Sequence, residues 1–452
     1  MSFLKNLLSK TNPSTPRLIV IGLDGTPFTF IQRMLTEGRM PNFQSLISKG
    51  SIKRMNSVIP TISSVAWSTF MTGKNPAKHG IFGFVDTQPN SYDFTIPTSS
   101  NMISKTLWEH LSEKGKCVVV INVPETYPPR KVNGSLISGF LCTDITKGTH
   151  PQELGQRLKA DGYRIDVDAQ QARKDKDALI KDIHLTLKKR FETFFRLMKE
   201  EKWDYLHLHV MCTDRLFHFL WEEMENNDPH FAPLFYNVIS KIDDFIGELL
   251  RKMDEKTELM ILSDHGFCKV KSDIYLNYFL AEEGFLKFET DEPKNIADMS
   301  SETTAFSLIP GRIFINLKGK YPKGSVEREE YEGLRDELIE KLMELEDPET
   351  GENIIARVYK KDEIYHGSLF DQAADLIAHP VDGYDLKGNV NKGKLKEKGP
   401  INGMHTYDDA FMFIKGREIQ RDDIAIVDAM PTILDIMKVD KPEDLDGLSL
   451  IH

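Results

Sequence analysis

The sequence predicts an α/β fold, a mostly parallel central sheet covered by helices on both faces. Three observations carry that prediction. Five short runs rich in Val, Ile and Leu alternate with longer helical patterns: Arg17 to Leu23, Lys116 to Val123, Asp204 to Val210, Glu258 to Leu262 and Ala410 to Ile414. The helical segments carry start and stop signals of their own. Polar residues able to do chemistry sit near the run ends, and open α/β sheets gather functional groups beyond the carboxyl ends of their strands. For 452 residues, one domain per roughly 150 residues would give about three units, and one large α/β domain with insertions fits as well.

Along the chain, Met1 to Lys10 sets Phe3, Leu4, Leu7 and Leu8 at helical spacing beside Lys5 and Lys10. This reads as a frayed or docked terminal helix, with a weak membrane-surface anchor as the alternative, and it is too short for a signal-peptide core with its cleavage site. The first strand ends in Asp24-Gly25, after which Thr26 can cap a helix and Pro27 can take its first position. A helix from Pro41 to Lys49 stops at Gly50, and Ser63 can cap another that runs to Thr72. The second run ends in the polar loop Asn122-Val123-Pro124-Glu125-Thr126, expected to line the same crevice as the other strand ends. The third leads to Asp214, the fourth to Asp264-His265, and His405 lies in a loop near the fifth.

From about Lys271 to Ile401 the rhythm breaks. Pro310 to Asn316 mixes Gly and aromatic residues, Tyr331 to Glu346 is an acidic helix, and Gly388 to Gly399 is a Lys/Gly-rich loop. The expected organisation is a core of residues 15–270 and 402–452 with 271–401 as an inserted cap, since long loops of this kind are usually functional. There is no internal repeat and no low-complexity segment.

Composition excludes several classes. Apolar residues at 40% and charged residues at 28% are those of a globular protein. The formal charge of −11, from 58 basic and 69 acidic residues with no basic run, argues against a nucleic-acid polymer as partner. No stretch approaches the ~18 apolar residues of an integral membrane segment. Cys117, Cys142, Cys212 and Cys268 are widely spaced, as free thiols in a reducing, cytoplasmic setting would be. An acidic protein that handles anions needs local positive charge, and bound metal ions are one source.

Each chemical candidate is ordinary by itself. Asp24-Gly25 is a common turn pair. Ser63 can be a helix cap. Asp214 and His218, at i and i+4, share a helix face that can bond internally or chelate a metal. Asp264 and His265 are adjacent and point apart in a regular strand, so both reach one ion only if the chain turns, which Gly266 permits. Together, three Asp, three His and one Ser divide into two nitrogen and oxygen ligand sets of the kind zinc accepts. Two ions about 3.5–4 Å apart clamp the attacking and leaving oxygens of an in-line displacement at phosphorus. The free N–H groups and dipole at the start of the Ser63 helix favour an anion in the same place.

These residues resemble the type I phosphodiesterase/nucleotide pyrophosphatase branch of the alkaline phosphatase superfamily. The matching pieces stand in the family's order: Ile21-Gly22-Leu23-Asp24-Gly25, Met40-Pro41-Asn42-Phe43, Pro60-Thr61-Ile62-Ser63, Thr72-Gly73-Lys74-Asn75-Pro76 with His79-Gly80-Ile81, Asp214-Arg215-Leu216-Phe217-His218, Ser263-Asp264-His265-Gly266 and Gly403-Met404-His405. The closing segment, Pro431 to Asp435 and Pro442 to Gly447, is similar to that of many superfamily members. The resemblance implies an alkaline-phosphatase-like three-layer sandwich with an inserted cap subdomain. It implies two divalent ions, usually zinc and in some relatives manganese, one held by Asp214, His218 and His405, the other by Asp24, Asp264, His265 and the Ser63 oxygen. Ser63 would then be the nucleophile that forms a covalent intermediate.

Two departures bear on substrate. Ser63 stands where nucleotide-cleaving members commonly have threonine. Phe82, Gly83 and Phe84 follow Ile81 where those members commonly have an asparagine that donates to a phosphoryl oxygen. The Ser63 context lacks the Pro and Arg that sulfatases require, and the inserted transfer domain of a phosphoglycerate mutase is absent. The expected function is a metal-dependent phosphoryl hydrolase acting on a small phosphorylated substrate, first a phosphodiesterase. The alternatives are a phosphomonoesterase or phosphonate hydrolase of the same superfamily, or a non-catalytic metal-stabilised binding protein. Lys74, Lys78 and Arg215 are the cations available to a terminal phosphate, with Lys74 and Lys78 better read as solvated surface charges.

Overall fold

The computed structural model describes residues 16–88 and 90–451, so the expected helix at Met1 to Lys10 lies outside the described residues. An eight-stranded sheet forms the centre, in the order Gly50–Met55, Ala410–Lys415, Thr257–Leu262, Arg17–Leu23, Tyr205–Val210, Val118–Ile121, Gly134–Ile137 and Thr149–His150. The five strands from Thr257–Leu262 to Gly134–Ile137 are mutually parallel, while Ala410–Lys415 and Thr149–His150 run against their neighbours. All five apolar runs of the sequence are in this sheet. The three further strands are short or lie at an edge, and the edge strand Gly50–Met55 carries Ser51, Lys53 and Arg54 and is only part-buried.

The pleat of the central strand divides its side chains between two cores. Ile19, Ile21 and Leu23 enter one, and Leu18 and Val20 the other. Helices Phe28–Thr36, Pro41–Ile47, Lys176–Glu200, Cys212–Glu225 and Phe231–Lys252 pack on the first face, and Ser63–Thr72, Leu107–Glu113 and Ala429–Ile436 on the second. The result is three layers. A third core is built from residues 274–386 together with Ala77, Phe82 and Tyr92. Its frame is an antiparallel sheet in the order Ala305–Leu308, Arg312–Ile315, Leu376–Pro380 and Ile355–Lys360, beside the helix Tyr331–Met343.

Several local expectations are corrected. Pro27 precedes its helix, and Thr26 makes no cap. Ser63 is the first residue inside its helix, with Ile62 at the cap position and no side chain on the first N–H groups. The Pro41 helix ends at Ile47, and Asp243 from across the core accepts from the Asn42 and Phe43 N–H groups at 3.0 and 2.8 Å, a cap no local residue supplies. The Lys/Gly-rich loop contributes Lys396–Glu397 to a sheet with Ser272–Tyr275 and Tyr384–Lys387. In the polar loop after Val118–Ile121, buried Asn122 accepts from Tyr163 Oη at 2.7 Å and donates to the Ile165 carbonyl at 2.9 Å, which fastens the loop to the segment at 163–165.

Candidate active site

Three neighbouring parallel strands end side by side, and each delivers part of the site. Arg17–Leu23 delivers Asp24, whose N–H bonds the Val210 carbonyl at 3.1 Å. Tyr205–Val210 runs into helix Cys212–Glu225, with Asp214 in its first turn and His218 one turn on. Thr257–Leu262 delivers Asp264 and His265 where the chain bends. Gly266 contributes space rather than a left-handed turn. A Cβ there would lie 2.4 Å from Thr406 Oγ1 and 2.7 Å from Asp409 Cβ. His405 is on a strand, not in a loop: Gly403–Thr406 pairs antiparallel with Gly266–Lys269, His405 opposite Phe267. Asn402 fastens that strand to the Asp214 helix, donating its N–H to the His218 carbonyl at 2.8 Å and accepting from the Trp221 N–H at 3.1 Å.

All seven residues singled out in the sequence come together, in two sets. Asp214, His218 and His405 offer ligand atoms within 4.8 Å of one another, and so do Asp24, Asp264 and His265. His405 Nε2 lies 3.2 Å from Asp214 Oδ1 and 3.0 Å from His218 Nε2. Ser63 Oγ lies 3.2 Å from Asp24 Oδ1 and 3.2 Å from His265 Nε2. The rings of His265 and His405 stack with centroids 3.6 Å apart, which sets the two groups beside each other.

The donor chemistry fits divalent metal ions. Each histidine faces a carbonyl with Nδ1: His218 with Gly403 at 2.8 Å, His265 with Gly266 at 3.0 Å and His405 with Thr61 at 3.1 Å. A proton on Nδ1 donates to that carbonyl and leaves the Nε2 lone pair aimed into the cluster, as metal-ligating histidines are held. The lone pairs of His218 and His405 thus converge, which a shared cation reconciles. Asp264 Oδ2 is buried without a hydrogen-bond partner. Carboxylate and imidazole together suit zinc and its neighbours in the transition series.

Charge is unevenly balanced between the sets. Burial, and Asp214 nearby, push Asp24 up to about 7. Burial and the neighbouring Asp24 push Asp264 well above the usual carboxylate range. Asp214 is buried as well, yet His218, His405 and Arg215 hold it well below that range. The Asp24 and Asp264 pair therefore gains most from added positive charge.

Two functional neighbours escaped the sequence reading. His209 Nε2 donates to Asp24 Oδ2 at 2.7 Å, and Trp67 Nε1 donates to the same oxygen at 2.8 Å, leaving Oδ1 for Ser63 and His265. The signal for His209 was a polar residue inside the wholly buried strand Tyr205–Val210, and for Trp67 its i+4 position after Ser63. The expectation for the lysines also changes. Lys74 is 8% exposed and bonds Asp444 at 2.5 Å, and Lys78 pairs with Asp446. Arg215 pairs with Asp166 at 2.7 Å and Asp214 at 3.2 Å.

Residues 18–408 match the model of the type I phosphodiesterase/nucleotide pyrophosphatase family. The chain belongs to that family. It is an enzyme, a hydrolase of phosphoric ester bonds, and the family is metal-dependent. Among solved structures, human ectonucleotide pyrophosphatase/phosphodiesterase 5 is similar over 95% of this chain and 97% of its own, at 16% identity and a TM-score of 0.57. Phosphonoacetate hydrolase from Sinorhizobium meliloti 1021, in complex with phosphonoacetate, is similar over 94% and 95%, at 14% identity and a TM-score of 0.64. These likenesses bear on the fold, that of alkaline-phosphatase-like enzymes. No curated protein matches the sequence significantly. Among the described residues no helix is long and apolar enough to cross a membrane.

Proposed function

We propose that this family member is a phosphodiesterase with Ser63 as nucleophile and two divalent ions, zinc by preference and manganese as the alternative. Asp214, His218 and His405 would hold one ion, and Asp24, Asp264, His265 and the Ser63 oxygen the other. The observation that carries the reading is Ser63 Oγ, 3.2 Å from both Asp24 Oδ1 and His265 Nε2, in the first turn of a ten-residue helix that no side chain caps. The N–H groups of that turn can receive a phosphoryl oxygen next to the nucleophile. Ions bound in the two sets would neutralise phosphoryl charge and lower the pKa of the serine hydroxyl.

With Asp24 and His265 committed as ligands, the proton of the Ser63 hydroxyl would leave to solvent as the ion lowers its pKa. As Oγ bonds phosphorus, the ester oxygen departs on the opposite side, toward Asp214, His218 and His405, and takes up a proton. Water then cleaves the phosphoserine and restores Ser63. A diester is favoured over a monoester or phosphonate because Lys74, Lys78 and Arg215 are each engaged by carboxylates, so none of these cations is free for a second phosphoryl charge. Residues 271–401 fit an inserted cap, since most of the third core falls within them. The four free cysteines support a reducing, cytoplasmic setting.

The test is hydrolysis of an activated phosphodiester by zinc- or manganese-loaded protein, faster than with magnesium, together with Ser63→Ala. The variant should keep its metal and lose several orders of magnitude in rate. Retention of more than about a tenth of the rate, or full activity after exhaustive chelation, would refute the assignment.

A further inference from the structure

Beside the Asp214, His218 and His405 set lies a cavity of about 200 Å³ that His218 and His405 themselves help to line. It opens between the central sheet's loops and the third core. Ile59, Pro60, Ile309, Pro310, Ile377 and Leu386 make up much of its wall. Phe84, in the segment that follows His79-Gly80-Ile81, supplies the only phenyl ring among the lining residues and packs edge-on against Phe140 at 5.7 Å. One cation reaches the wall, Lys387. It is held by Asp385 and lies 3.7 Å from Asp273, and Asp382 and Asp385 line the same side.

In-line attack by Ser63 sends the ester oxygen toward this cavity. We infer that the group esterified there is a compact, neutral, apolar alcohol, and that leaving groups bearing a second anion are rejected. The inference rests on the phosphodiesterase reading above. Size sets the first limit, because pockets for drug-sized ligands are roughly 300–1,000 Å³, and this one suits a single ring or short branched chain. Charge sets the second. A carboxylate or second phosphoryl group in the cavity would be desolvated against aliphatic walls, with Asp382 and Asp385 facing it and the only lysine already paired.

Two diesters of similar intrinsic reactivity separate these possibilities: methyl phenyl phosphate and methyl 4-carboxyphenyl phosphate, with alcohol release followed chromatographically. The neutral ester should be preferred at least about tenfold in kcat/KM, an energy difference of about 1.4 kcal/mol. Ile309→Lys adds a cation at a wall position that is 37% exposed. It should narrow that preference by raising turnover of the carboxyphenyl ester. Calorimetry on Ser63→Ala should show the same order of binding with no turnover. Equal kcat/KM and equal binding of the two esters would overturn the cavity assignment while leaving the phosphodiesterase standing. No turnover of either ester by metal-loaded protein would overturn the phosphodiesterase reading and this inference with it.

Discussion

Replacing His209 with alanine tests whether the site depends on what lies behind the ligands. The imidazole is fully buried and donates Nε2 to Asp24 Oδ2 at 2.7 Å. Burial drives the His209 pKa down to about 3, so the ring acts as a neutral donor at all ordinary pH values. Removing it leaves Trp67 as the sole donor to that oxygen and frees the carboxylate to rotate. Loss of a partner that orients a metal ligand costs about 10- to 100-fold in metal affinity or activity, equivalent to about 1.4–2.7 kcal/mol. The assay is competition for zinc against a chromogenic chelator. Of the two metal equivalents proposed, the one assigned to Asp24, Asp264 and His265 should weaken by that factor while the other keeps its affinity. His209→Gln, whose amide can donate in place of Nε2, should recover part of the loss. Two equivalents bound as tightly by His209→Ala as by the parent would refute the role.

His405→Ala removes one of the three side chains proposed to hold the other ion, so the protein should bind a single metal equivalent tightly by the same competition; undiminished binding of two would detach His405 from the site. Gly22→Ala would put a Cβ 2.4 Å from Trp67 Cη2 in the packed centre of the sheet. Such overpacking should cost about 1–3 kcal/mol, read as a lower urea midpoint, and an unchanged midpoint would show that Trp67 can yield. His79 is fully buried, accepts from the Ile81 N–H at 3.1 Å, and burial lowers its pKa to about 3. Between that value and the ordinary 6.5 the unfolded chain binds more protons, so stability is lost as pH falls below about 6.5. His79→Gln should flatten the slope of stability against pH by up to about 1.4 kcal/mol per pH unit, measured by urea unfolding at pH 5 and 7.

What the sequence revealed and what it hid follow from the range of the forces involved. Arg17 to Leu23 and the other apolar runs announce themselves because strands buried on both faces are apolar at most positions. Asp214 and His218 were legible because helical spacing alone puts them on one face. His405 sits 191 positions from Asp214, and only the pairing of Gly403–Thr406 with Gly266–Lys269 brings it home. That pairing has no local signature, and the segment read as a loop. Lys74 and Lys78 looked like surface charges because their partners, Asp444 and Asp446, lie about 370 residues on. Capping showed the same limit. Asp243 caps Pro41–Ile47 from another helix, while Ser63, with the right side chain for a cap, turns its hydroxyl to Asp24 and His265 instead.

The proposed placement of the phosphoryl group at Ser63 would let a chain of net charge −11 hold an anion. Three buried aspartates gather at the ends of adjacent strands, where their mutual repulsion would be costly without cations. That cost is localised on Asp24 and Asp264, since Asp214 already has two histidines and Arg215. Divalent cations in both ligand sets would invert the local sign, and the uncapped helix start adds its own positive end. The strand Gly403–Thr406 would then tie this electrostatics to substrate choice, because Met404 lines the apolar cavity and His405 reaches both the cavity and the proposed ligand set. A substitution in the cavity wall that shifts this strand must therefore disturb metal affinity along with ester preference, whereas one at Ile309, on a different segment, should alter ester preference alone.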